Sequence, residues 1–470
     1  MREKTKYWAE KVIKGIKCGE IRFFYSPVYF LIATVFTYVC WYFDLAIVGF
    51  SALGIGYGIT VALSKDLSST LIFPFVFTLA LYKTYSSDHA PYIYVAALFV
   101  LVAGVIIHLF RFRPFQGRGR AHFFNFGAAA LFFAVAVSGV FAPERSVSLS
   151  LAVGGLAALL FFQTVLLGLS IGTSDKERAR SLLLYAVVFA SFLAAGEFIT
   201  HLFRLGFNEF FSNKNLPGET AANQYANLMA RSLPVFFYLS IGKKKGAHFW
   251  LVPAFLMIGV IALTNSRATL LMTAATVLVA FVVCTIKSKE RKGFLLTFLV
   301  LSALSLTFLL TQKELVKKIF AVVIERGIDD YHRFELWETG WKMFLRHPVF
   351  GAGLGDRIGY GIEGPMSASF VPFWYHNTFV QTLASFGLVG AAGLILFLTS
   401  MFYTTFSAKD GKAFTAGFIL LFILAVSMLD IHFYTPQTLW QMTVLTVPCY
   451  RFIPKRDEKS RRGIILPPAE

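Results

Sequence analysis

The chain has 470 residues, 56% hydrophobic and only 15% charged, with a formal net charge of +18. Soluble domains carry nearer a quarter charged residues, so an ordinary soluble enzyme is excluded. The excess Lys and Arg lie in short loops between apolar runs, with no basic patch interleaved with exposed aromatics, which argues against nucleic acid as a partner.

The first 26 residues mix lysines with Trp8, Val12, Ile13 and Ile16, the pattern of a basic amphipathic segment lying on an anionic membrane surface. Apolar spans follow, each suited to crossing a hydrocarbon core of roughly 30 Å, which takes about 20 helical residues. They are predicted at 27–41, 45–64, 69–85, 92–110, 122–141, 148–170, 181–203, 224–242, 248–264, 268–286 and 293–311. After a long polar loop, 312–374, three more come at 375–403, 413–430 and 437–452, and 453–470 is a basic tail. The reading is an all-α polytopic membrane protein of about fourteen transmembrane helices. Twelve is the competing count, because the first two spans and the last are short.

Basic runs orient the array. RFRPFQGRGR at 111–120, SDKERARS at 174–181, KSKERK at 287–292 and the tail KRDEKSRR all fall on one side, and the positive-inside rule makes that side cytoplasmic, with both termini inside. Three polar features then open outward: the loop 204–223, the tight turn at 265–267 and the loop 312–374. The four cysteines, Cys18, Cys40, Cys284 and Cys449, lie in the N-terminal segment or in and beside apolar spans, so neither a disulfide framework nor a metal site is expected.

The outer features hold the chemistry. Arg267 lies where two apolar spans meet with almost no loop, a costly place for a guanidinium that has no partner or anion. Its planar fork of donors suits a phosphate. In the long loop, an amphipathic helix is predicted over about 330–345, with Arg333, Trp337 and Trp341 on one face at i, i+4 and i+8. The tryptophans suit interfacial packing and, as an alternative, stacking against sugar rings. HPVFGAGLGD follows, its proline and glycines ending the helix and permitting close backbone turns. His376, with Asn377, stands at the outer mouth of the next span as a candidate base for an acceptor hydroxyl or a donor to a departing phosphate. Gly387 and Gly390, further along it, are small positions that let a neighbouring helix approach. Asn223 opens the span after the loop 204–223, as a cap or a substrate contact. Glu197 with His201, and Asp430 with His432, are possible structural pairs or proton relays.

Together these stretches resemble the O-antigen ligase / O-antigen polymerase superfamily of bacterial envelope glycosyltransferases. Arg267–Leu271 reads RATLL, an Arg followed after three residues by Leu. His376 and Asn377, then TFVQTLASF, then Gly387 and Gly390 are similar to the family's His–Asn, nine residues, GxxG pattern. The likeness concentrates in about 220–395. It implies transfer of a glycan from undecaprenyl diphosphate to a saccharide or glycolipid acceptor, on the periplasmic face of the bacterial cytoplasmic membrane, without a cofactor or metal. Arg267, Arg333 and His376 would be catalytic, with Asn223, Asn377, Trp337 and Trp341 contacting substrate. A repeat-unit polymerase is the alternative within the family. A secondary transporter or lipid-linked glycan flippase is the alternative outside it.

Overall fold

The computed structural model describes residues 15–16, 21–77, 90–113, 123–142, 175–206, 221–242, 244–314, 316–317, 333–353, 375–429, 433–434 and 436–450. The predicted span 148–170, the basic tail, the Asp430–His432 pair, Cys18 and most of the loops 204–223 and 312–374 lie outside them.

Among the described residues all regular structure is helical. In chain order the helices are α1 (Pro27–Tyr42), α2 (Ala46–Leu63), α3 (Ala90–Phe112), α4 (Phe123–Phe141), α5 (Lys176–Leu205), α6 (Ala221–Ala230) and α7 (Leu233–Ser240). Then come α8 (Leu251–Leu263), α9 (Arg267–Lys287), α10 (Arg291–Thr311), α11 (Arg333–Arg346), α12 (Thr378–Ser407), α13 (Gly411–Ser427) and α14 (Pro436–Thr446). Five of these, α4, α5, α9, α10 and α12, are long and apolar enough to cross a membrane. Several shorter apolar helices accompany them, so the number of crossings is not read from helix length alone. In α5 72% of the apolar window is buried and in α10 only 6%, which makes α5 the centre of the bundle and α10 its rim. The rim has no water-soluble character: Leu296, Leu299, Leu304 and Leu306 of α10 are all exposed, as suits contact with lipid.

One end of the bundle is ionic. Arg178 pairs with Asp66 at 3.1 Å and lies over the Tyr25 ring, Arg180 pairs with Asp410 at 2.9 Å, and Lys412 reaches Glu177 at 3.2 Å. Asp66 is largely buried there, and burial pushes its carboxyl above the ordinary range, against the pull of Ser68 and Arg178. These contacts bring the start of α5, the turn before α13 and the connection after α2 to the same level. The opposite end of the bundle therefore receives the C-termini of α5, α8 and α13 and the N-termini of α6, α9 and α12.

Two predicted spans are interrupted. The span 224–242 breaks at Arg231–Ser232 into α6 and α7, where Pro234 supplies no backbone N–H. Arg231 N bonds Asn227 O and Ser232 N bonds Met229 O, while the carbonyl of Leu228 accepts from the Ser191 hydroxyl of α5 at 2.8 Å. Arg231 itself is buried and donates to the side chain of Gln441 in α14, which in turn donates to Pro74 O.

The span 375–403 is also broken. Gly387 in α12 has φ 60 and ψ −156, a conformation that glycine alone adopts easily. The segment after α11 closes the gap: Ala352 N and Gly353 N donate to Ala384 O and Ser385 O at 2.8 and 2.9 Å. In return Leu388 N and Val389 N donate to Pro348 O and Val349 O at 2.9 and 3.1 Å. Ser138 of α4 donates to Phe386 O, and Phe350 stacks on Phe141 at 4.3 Å. Gly387, expected to admit a neighbouring helix, thus admits a backbone segment. A Cβ on Gly387 would stand 2.5 Å from Val349 O, and one on Gly351 would collide with Ser385 and Phe386. Gly390 faces the Phe386 side chain of its own helix across the break.

Gly387→Ala is therefore expected to destabilise the protein by about 2 kcal/mol or more. Gly259→Ala in α8, where an added Cβ meets nothing within 4 Å, should raise stability by about 0.5 kcal/mol. Melting temperatures of the two variants in detergent check the contrast.

Candidate active site

Two segments of like architecture face the outer end. In each, a residue in the left-handed region is followed by a cap residue and then the first residue of a helix. Asn265 (φ 55), Ser266 and Arg267 lead into α9, and His376 (φ 50), Asn377 and Thr378 lead into α12. Asn and His tolerate that region better than most side chains, which is why polar residues stand there.

The two caps are used differently. Asn377 Oδ1 accepts from Phe379 N and Val380 N at 2.9 and 3.1 Å, and its Nδ2 donates to Met428 O at 3.2 Å. Thr378 donates to Ser427 O at 2.7 Å, so the start of α12 is tied to the end of α13. Gln381 accepts from Tyr375 N, and Thr382 shares a 2.6 Å hydrogen bond with Tyr434. His376, half-buried, is thereby carried on a firmly held turn.

Ser266 makes no capping hydrogen bond to α9. Its hydroxyl donates sideways to Thr269, which donates to Asn227 of α6. The amides of the first turn are thus left without the usual serine cap, and the residue at the first helical position is a cation. A cation at the positive end of a helix dipole is unfavourable by about 0.3–1 kcal/mol unless other groups offset it, so its presence at this position is not explained by helix formation.

Both segments lie at the same end of the bundle, because α9 and α13 run in opposite chain directions away from neighbouring residues of α7. Cys284 of α9 bonds Phe237 O of α7, and Gly411 at the start of α13 abuts the next residue, Tyr238. From that common level Arg267 is about 25 Å along α9, and Ser427, which holds Thr378, is about 24 Å along α13. Leu263, just before the turn, packs with Phe198 and Leu202 of α5, and α5 continues beyond it to Leu205.

α11 lies against the start of α12, where Gly340 meets Val380 and Tyr375, and Met343 packs with Tyr375 and Ala384. Arg333 begins this helix and is partly buried. The three residues expected on one face are not equivalent. Trp341 is 51% exposed, beside exposed Phe334 and Leu345. Trp337 is half-buried, packed edge-on to Phe334, with its indole nitrogen buried and without an acceptor among the described residues. The burial of Gly340 and Met343 sets which face turns inward. On the polar side Glu338 pairs with Lys342 at 2.6 Å, and that hydrogen bond lowers the Glu338 carboxyl from its ordinary value.

The remaining expectations are refined. Asn223 lies within the first turn of α6, which starts at Ala221, and so does not occupy its cap. Asn377 is engaged at both ends of its side chain as a structural cap, and this use competes with direct substrate contact. Glu197 is fully buried and accepts from the Tyr225 hydroxyl at 2.9 Å. Tyr225, Asn227 and Thr269 lie beside these residues, and their signal in the sequence is a run of polar side chains inside otherwise apolar spans.

An all-helical bundle with five helices long and apolar enough to cross a membrane defines the chain as a membrane protein. Residues 252–395 match the family model described as O-antigen ligase, which places this region in the O-antigen ligase superfamily. The matched region contains Arg267, Arg333 and His376. It points to a glycosyltransferase-type enzyme of a bacterial membrane, acting in broad terms on a lipid-linked glycan and a saccharide acceptor. No curated protein matches the chain.

Asn377→Ala is expected to lower stability by about 1 kcal/mol through loss of the α12 cap. A melting-temperature decrease without substrate present distinguishes this role from a pure substrate contact, which would leave the temperature unchanged.

Proposed function

We propose that the protein transfers a glycan from undecaprenyl diphosphate to a saccharide acceptor such as lipid A core, on the outer face of the cytoplasmic membrane. The observation that carries this reading is the match of residues 252–395 to the O-antigen ligase family, in a region that holds Arg267, Arg333 and His376. The basic residues of 174–181, 287–292 and 409–412 gather at the opposite end, which the positive-inside rule makes cytoplasmic. Arg267 and the α9 amides receive the donor diphosphate, and Arg333 on α11 supplies a second cation.

In this mechanism the acceptor hydroxyl oxygen attacks the anomeric carbon from the face opposite the diphosphate. The new C–O bond forms as the bond to the phosphate oxygen breaks, with inversion, and undecaprenyl diphosphate leaves with the bonding electrons. His376 orients the acceptor hydroxyl and takes its proton, while the arginines stabilise charge developing on the leaving diphosphate. Asn377 acts by holding His376 in place. Trp337 and Trp341 border the route to the site, with Trp341 placed to meet lipid or sugar. Asn223, at the start of α6, borders the same outer end.

The His–Asn, nine residues, GxxG spacing favours ligase over repeat-unit polymerase. Purified protein in bilayers, given lipid-linked glycan and candidate acceptors, should transfer glycan. His376→Ala, Arg267→Ala and Arg333→Ala should each reduce transfer by about 100-fold or more at unchanged abundance. Full transfer by these variants would remove the site assignment. In a deletion strain a ligase predicts accumulation of polymerised glycan on its carrier. Single repeat units would replace ligase with polymerase, and normal glycans with altered solute uptake would favour a transporter.

A further inference from the structure

A line of polar side chains runs through the apolar bundle to the start of α9. Glu197 on α5 is 0% exposed and accepts from the Tyr225 hydroxyl of α6. Two residues along α6, Asn227 accepts from Thr269 at 2.8 Å, and Thr269 accepts from Ser266 at 2.9 Å. One turn from Tyr225, the carbonyl of Leu228 accepts from Ser191 of α5. Every side chain in this line is buried: Tyr225 is 4% exposed, Asn227 3%, Thr269 1% and Ser266 3%.

Apolar packing alone does not account for this arrangement. α6 has ten residues and ends at a break, too short to be a stable helix by itself. α5 pins it at two points, the Glu197 carboxylate and the Ser191 hydroxyl, and these fix both the rotation and the height of α6. Asn227 lies between the two pins and hands that placement on to α9. Oδ1 of an amide only accepts, so Thr269 must donate to it and Ser266 must donate to Thr269. The Ser266 proton is thereby committed to Thr269, and its oxygen makes no capping hydrogen bond to α9. The next residue is Arg267.

We infer that Tyr225, Asn227, Thr269 and Ser266, anchored by Glu197, are positioning residues. They hold the N-terminus of α9, and with it Arg267, at the depth of the donor diphosphate. The inference rests on the role given to Arg267 above. None of the five touches substrate in this account. They act by keeping the Arg267 turn from fraying and by keeping its amides open to an anion.

The test uses the full-length protein in lipid nanodiscs, with Tyr225→Phe, Asn227→Leu and Thr269→Val removing one link each, and Thr269→Ser retaining the hydroxyl. Hydrogen exchange is followed over 264–270, with α10 as an internal reference. Donor KM and kcat are measured with and without Arg267→Ala. The disrupting variants should speed exchange in 264–270 by about tenfold and lower kcat/KM for donor by a similar factor, leaving the acceptor KM unchanged. Thr269→Ser should restore both, and in the Arg267→Ala background the variants should have no further effect. Unchanged exchange, or an equal loss of activity in both backgrounds, overturns the inference. Faster exchange beside a fully active Arg267→Ala protein supports the anchoring and overturns the role given to Arg267, so the two failures are told apart.

Discussion

Four backbone hydrogen bonds around Gly387 hold the outer half of the molecule in place. A helix interrupted near hydrocarbon exposes amides and carbonyls whose loss of partners costs several kcal/mol each. Here residues 348–353 pair with four of those groups and tie the segment after α11 to α12. Two constraints make this possible: glycine at 387, where φ and ψ exclude a side chain, and glycine at 351, where the strand-like segment touches α12. The break redirects the first turns of α12 so that Thr378 reaches the end of α13. α11, packed on those turns, follows.

The other half of the outer end is organised by side chains. α5 fixes α6, α6 fixes α9, and each link is a hydrogen bond buried among apolar residues. Such bonds are individually modest, about 0.6–2 kcal/mol in a membrane interior, yet they are directional in a way that hydrocarbon packing is not. Backbone pairing positions the His376 side and side-chain pairing positions the Arg267 side. The two supports meet at α13, which packs against both α9 and α12.

Much of this was legible from hydropathy. The apolar periods located α1, α2, α4, α5, α9 and α10 to within a few residues, since a helix in lipid has to be apolar along most of its length. Arg267 and His376 stood out because a polar group at a hydrocarbon edge needs a reason to be there. The breaks were less visible. Pro234 signals the one at Arg231, but Gly387 in an apolar run looks like any small packing residue until its partner strand is known. The inward face of α11 was equally hidden, because spacing groups Arg333, Trp337 and Trp341 while the choice of face is made by contact of Gly340 with Tyr375 and Val380. The role of Asn227 depended on Thr269, forty-two positions away, and pairing at that separation leaves no local periodicity.

Under the proposed function, the position of Arg267 at the end of α9 carries a consequence for the surrounding bilayer. The protein sets the distance from its ionic end to the Arg267 turn through the lengths of α9 and α13, both nearly rigid rods. The lipid sets the height of its own phosphate plane through the thickness of its hydrocarbon. These two rulers are independent, so acyl-chain length becomes a variable of the reaction. A thicker bilayer raises donor phosphates above the arginine, and a thinner one leaves the arginine protruding into water. The enzyme is in this sense calibrated to the membrane in which it lives.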